Sequence, residues 1–280
     1  MSFPSRGRFL PLARWAGLEA YVQAARVAIR QAVCYPADIF IEFISYPFAF
    51  LGYFFFVAAL FGSGGSVQGY GLSTLITYFS LGWVLRMIVD QRLDGNVAAL
   101  VQSGGVVSHL VRPVDFLHYL FAGFVGRGCL RFCFYALPAI LMLTTLFGED
   151  ISLRSGDVGW FILYALVAFR MAFELQMLLG LTAFFLTMNH QISWTVDMTI
   201  RLISGLIVPL NLFPEPLFRI LELLPFQYLY FKPIQVFLHP AEIWNMLAGL
   251  TVGMLWTLGL ALCNRTVFRA ALRRHVIYGS

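Results

Sequence analysis

The sequence predicts an all-α membrane protein with six transmembrane helices, and three observations carry that prediction. Of its 280 residues, 60% are hydrophobic and only 12% are charged. With a mean hydropathy of +0.78, a soluble fold has too little interior to hide so much apolar surface. Apolar runs of roughly 20 residues recur along the chain, the length at which a helix crosses a ~30 Å hydrocarbon core. Stretches 54–60 and 178–186 are apolar on every side, whereas the strands of a spanning barrel alternate.

The elements follow in order. Residues 15–31 mix small and apolar side chains with Arg26 and Arg30, the pattern of an interfacial helix lying along a leaflet. A cleavable signal peptide would carry its apolar core much closer to Met1. The spans are expected at about 36–61, 72–89, 116–147, 158–188, 194–213 and 243–264. A Gly/Ser turn at 62–66 separates the first two. Residues 90–115 are polar, with Gly104 and Gly105 in the middle, and read as a short helix, a break and a re-entry. Residues 214–242 carry Pro214, Pro216, Pro225, Pro233 and Pro240. This spacing allows only short helices, packed at the outer membrane face or dipping back into it.

Orientation follows the arginines, because Lys and Arg near span ends stay on the cytoplasmic side. Arg6, Arg8, Arg14, Arg26 and Arg30 precede the first span, Arg86, Arg92 and Arg112 flank the 90–115 loop, and Arg265, Arg269, Arg273 and Arg274 follow the last span. Both termini are therefore expected in the cytoplasm. The net charge of +5 suits anionic lipid at that face, and nucleic acid need not be invoked.

Much chemistry is excluded by residue type. A phosphate-binding loop needs a lysine to reach the β and γ phosphates, and the single lysine, Lys232, lies between Phe231 and Pro233. Any nucleotide-driven motor therefore belongs to another chain. The five histidines show no metal-ligand spacing, and no nucleophile elbow is present. Cys34, Cys129, Cys133 and Cys263 fall in or beside apolar runs. Cys129 and Cys133 share a helix face, but ordinary packing explains them better than a soft metal does.

Charges at membrane depth need partners. Arg127 and Arg131 lie one turn apart in the third span, as do Arg170 and Glu174 in the fourth. At ~1.5 Å per residue the two arginines are roughly 20 to 25 Å deep and Glu174 about 21 Å, so an Arg–Glu bridge between these helices is expected. Asp38 and Glu42 open the first span, and Asp197 and Arg201 open the fifth. Together they could line a cytoplasmic entrance for cationic or amphipathic cargo, although solvation at the interface accounts for the same residues.

The order of these features resembles the type-2 membrane subunits of ABC exporters. One motif runs from Gly104-Gly105 to Leu110-Val111-Arg112-Pro113, similar to that family's Gly then Leu-Leu-Arg-Pro pattern at the end of the cytoplasmic loop. The other comprises Pro209, Phe213-Pro214, Leu224-Pro225-Phe226 and Tyr230 to Pro233, and resembles the viologen-exporter branch, with His239 standing where a small residue is expected. The resemblance implies a permease with no cofactor of its own. It would pair with itself or a sister permease and sit on two ATPase subunits that hold ATP and Mg, in a bacterial cytoplasmic (inner) membrane. Gln91, Arg92, Asp94, Asn96, Gln102 and Arg112 would form the ATPase-coupling surface. An ion-coupled secondary transporter and a membrane scaffold are the alternatives. The former is expected to carry unpaired mid-membrane carboxylates and often an inverted repeat.

Overall fold

The computed structural model describes residues 10–34, 71–111, 114–147, 155–186 and 189–278, with isolated positions between 41 and 59. All regular structure among the described residues is helical. Most of the expected first span, including Asp38 and Glu42, lies outside the described residues, as does Arg112.

Helix α1 (Leu10–Cys34) packs along α5 (Phe116–Arg131). Small residues make this contact: Ala24 and Ala28 are buried, and a Cβ on Gly126 would stand 2.6 Å from the carbonyl oxygen of Ala25. Such close backbone approach is how helices associate where no hydrophobic drive separates protein from lipid. Asp115 caps α5, its carboxylate accepting the His118 N–H at 3.0 Å and lying 2.9 Å from His118 Nδ1. Burial alone would raise its pKa, but these bonds and the positive charges of His118 and Arg265 hold it below the usual carboxylate value.

Helix α5 passes through a π turn, Phe132–Ala136, into α6 (Leu137–Phe147). Pro138 is the cause that the sequence offers: its ring clashes with the carbonyl four residues back, and a widened turn relieves that clash.

Helices α2 (Leu72–Val89) and α7 (Ser155–Leu181) form the centre. Their mutual core holds Tyr78, Leu85, Met171, Phe173 and Met177, all nearly sealed from solvent. Helix α3 (Leu93–Gln102) lies on α7, and α4 (Val106–Leu110) follows after a turn at Gly104, whose φ of 71° suits a residue without Cβ. Helix α11 (Ile243–Tyr278) packs on α7 through Gly249 and Gly253. Their Cβ positions are filled by Tyr164 and Tyr228.

Among the described residues four helical stretches are long and apolar enough to cross a membrane: Leu72–Gln102, Phe116–Leu141, Val158–Phe184 and Ile243–Arg273. The expected fifth span does not continue as one helix to residue 213. Helix α8 (Asn189–Ile203) stops ten residues earlier, at a length of only about 22 Å. Gly205 adopts φ 87°, and the freed carbonyls find new donors. Tyr78 Oη donates to Gly205 at 2.5 Å, Tyr53 Oη to Ile207 at 2.9 Å and the Phe231 N–H to Ser204 at 3.1 Å. Irregular backbone among apolar helices survives only when buried in protein in this way. Helices α9 (Glu215–Leu223) and α10 (Phe231–Leu238) complete the proline-rich segment, with Tyr230, Phe231 and Ile234 buried in the core.

Candidate functional site

Among the described residues, a dense polar arrangement surrounds the three residues between α2 and α3. Helix α2 ends because Asp90 turns extended and Arg92 is left-handed, with φ 51° and ψ 39°. A left-handed non-glycine residue costs about 1–2 kcal/mol, so neighbouring groups must hold it. Gln176 of α7 does so from both sides. Its Nε2 donates to the Val89 carbonyl at 2.9 Å, and its Oε1 accepts the Leu93 N–H at 2.9 Å. One carboxamide thus satisfies the last turn of α2 and the first turn of α3.

Two arginines complete the joint. Arg131 of α5 donates to the carbonyls of Met87 at 3.2 Å and Asp90 at 2.8 Å. Arg201 of α8 pairs with the Asp90 carboxylate at 2.8 Å and with Asp197 at 2.6 Å, and Arg86 Nε stands 3.6 Å from the same Asp90 oxygen. Asp90 and Arg201 are both largely buried, so their attraction is screened far less than a surface pair's would be. Three helices, α5, α7 and α8, each place one polar side chain on a single backbone corner.

Beyond the corner, α3 has two faces. Leu93 and Val97 are fully buried, and Val97 fits against Gly180, where a Cβ would come within 2.6 Å of it. Arg92, Asn96, Ala99 and Gln102 form an exposed stripe on the other side. Of the expected coupling residues, Arg92, Asn96 and Gln102 lie on this stripe. Asp94 is half-buried, and Gln91 turns inward, its Nε2 donating to Ile88 at 3.0 Å. A cleft of about 380 Å³ opens between α3, α7 and α8, lined by Asp90, Asp94, Gln102, Trp194, Asp197 and Arg201. Trp194 is 61% exposed.

Of the expected entrance residues, Arg201 pairs with Asp197 and also meets Asp90, just after α2. The bridge drawn from Arg127 or Arg131 to Glu174 is corrected. Glu174, only 2% exposed, takes Arg170 of its own helix at 2.5 Å and Asn264 of α11 at 2.6 Å. Arg170 also lies over the Phe121 ring at 4.3 Å. An i,i+4 partner is already within reach, so a bridge across helices is unnecessary. Sequence reasoning missed Asp90, which read as the mere end of a span. It also missed Gln176, whose signal was present: it is the one carboxamide in the apolar run 158–186.

Residues 32–279 match the model of a family described as ABC-2 family transporter protein. This chain belongs to the ABC-2 transporter family. No curated relative and no solved structure matches it. In an ABC-2 transporter such a chain is the membrane component rather than the ATPase, and membership implies an ATPase partner and a membrane location. The absence of a usable lysine agrees with that division. The polar corner joins a short, partly exposed helix to four packed helices.

Proposed function

We propose that this chain is the permease of an ATP-driven exporter, moving an amphipathic or hydrophobic substrate out of the cytoplasm by alternating access. Two such chains, or one with a sister permease, would sit on two ATPase subunits carrying ATP and Mg, in the bacterial inner membrane with both termini inside. Helix α3 is the coupling element, and its Arg92–Asn96–Gln102 stripe is the surface the ATPase grips. The observation that carries this reading is the corner at Asp90. Force on α3 reaches α2 through the chain, α7 through Gln176, α5 through Arg131 and α8 through Arg201. These contacts give the motor leverage on several helices at once, as switching between inward and outward states requires.

The cleft beside α3 is the entrance, with Trp194 and Met198 offering apolar surface and Asp94 and Asp197 offering negative charge to cationic amphiphiles. Ion coupling is the weaker reading, because the deep carboxylate Glu174 is already held by Arg170 and Asn264. Replacing residues 96–101 with a Gly/Ser stretch should leave insertion intact and abolish the substrate-stimulated part of the complex's ATPase rate. Unchanged stimulation would remove α3 from the coupling role.

A further inference from the structure

We propose that the groove between α7 and α11 is a binding site for an anionic phospholipid, a role separate from ATPase coupling and independent of it. The groove encloses about 350 Å³ and is lined by Leu163, Leu166, Leu250, Met254 and Leu258, with Arg170 among its walls. Leu166, Met254 and Leu258 are each at least half exposed, so between two membrane-crossing helices this surface faces acyl chains.

The charge at the groove's end selects the headgroup. Arg170 gives one nitrogen to Glu174, and about a third of its side chain stays exposed. Arg265 lies close enough for its charge to act on both Arg170 and Glu174. At 100° per residue, Arg265 falls within about 40° of Met254 and Leu258 around α11, and Arg269 follows one turn on. Both arginines are exposed. One face of α11 thus runs from apolar to doubly basic, with Glu174 paired to Arg170 and Asp115 within reach of the Arg265 charge. A lipid phosphate at Arg265 and Arg269 would offset their like charge, while its acyl chain covers the leucines.

Tyr53, one of the described residues before α2, packs on Phe79 and Trp83 of α2 and bonds to Ile207.

Native mass spectrometry of the purified full chain tests the proposal, with phosphatidylglycerol and phosphatidylcholine supplied in equal amounts. Phosphatidylglycerol should be retained over phosphatidylcholine, and Arg265→Gln should cut that preference roughly fivefold, with Arg265→Lys restoring most of it. Leu258→Trp should remove the bound lipid whatever its headgroup. If that variant misfolds, Met254→Phe reads the same contact with a smaller change. Equal retention of the two lipids, a preference untouched by Arg265→Gln, or displacement of the lipid by inorganic phosphate would overturn the assignment. So would a disulfide between two chains carrying Met254→Cys, which would make the groove an interface between copies.

Discussion

The corner between α2 and α3 and the seam between α7 and α11 are both contacts on α7, yet they are built in opposite ways. The seam is made of absent side chains. Gly249 and Gly253 bring backbone against Tyr164 and Tyr228, and Tyr164 Oη donates to the Met246 carbonyl at 2.7 Å. The corner is made of long polar side chains, Gln176, Arg131 and Arg201, reaching across to backbone and carboxylate. Close-packed small residues have one good arrangement and resist sliding. Polar side chains can exchange partners, and Arg201 holds two carboxylates at once, Asp90 and Asp197. Under the proposed coupling role, the seam would move as one body and the corner would be the part that switches.

Substitutions at the two places should therefore fail differently. Gly253→Leu drives a side chain into Tyr228 and should cost about 3 kcal/mol, read as a lower thermal midpoint in detergent, with coupling lost only in proportion to folded protein. Gln176→Leu strands the Val89 carbonyl and the Leu93 N–H and should cost about 2 kcal/mol. Its diagnostic effect is loss of ATPase stimulation in protein that still elutes as a folded species. If Gln176→Leu keeps full stimulation, the corner is only packing.

Asp90→Arg should weaken stimulation while lowering stability by about 1–2 kcal/mol, and combining it with Arg201→Asp should recover about 1 kcal/mol as coupling energy. Strictly additive losses would show that the pair does not interact. The smallest effect is expected at Asp115, at the start of α5. Asp115→Ala removes a helix cap and should cost about 0.5 kcal/mol, at the low end because the carboxylate is half exposed. Since its pKa is depressed on folding, that contribution is present above the ordinary carboxylate value. It should fade as the pH falls below about 4, measured as convergence of the two melting curves.

Much of this architecture was legible in the sequence because lipid imposes a simple rule: a helix must be long and apolar to cross. Runs 72–89, 116–147, 158–188 and 243–264 obey it and overlap the four crossing helices described. Glycine and proline positions placed the break at Gly104 and the short helices after Pro214. The early end of α8 was not legible, because it depends on Tyr78, Tyr53 and Phe231, distant in sequence, taking over the freed carbonyls. The coupling stripe was half legible. Asn96 and Gln102 were named among the coupling residues, but only the fit of Val97 against Gly180 shows which face α7 covers. The partner of Glu174 was misassigned for the same reason: pair choice is set by helix rotation, which composition does not encode.

The central claim is that the outer stripe of α3 meets the ATPase while its inner face drives the transmembrane helices. Photo-cross-linking in the assembled complex tests it most directly, with a photoreactive residue replacing Asn96 on the exposed stripe, or Val97 one residue on in the buried face. The account predicts a cross-link from position 96 to the ATPase chain and, from position 97, a link only within the permease. A permease that assembles with its ATPase yet gives no intermolecular link at position 96 would contradict it.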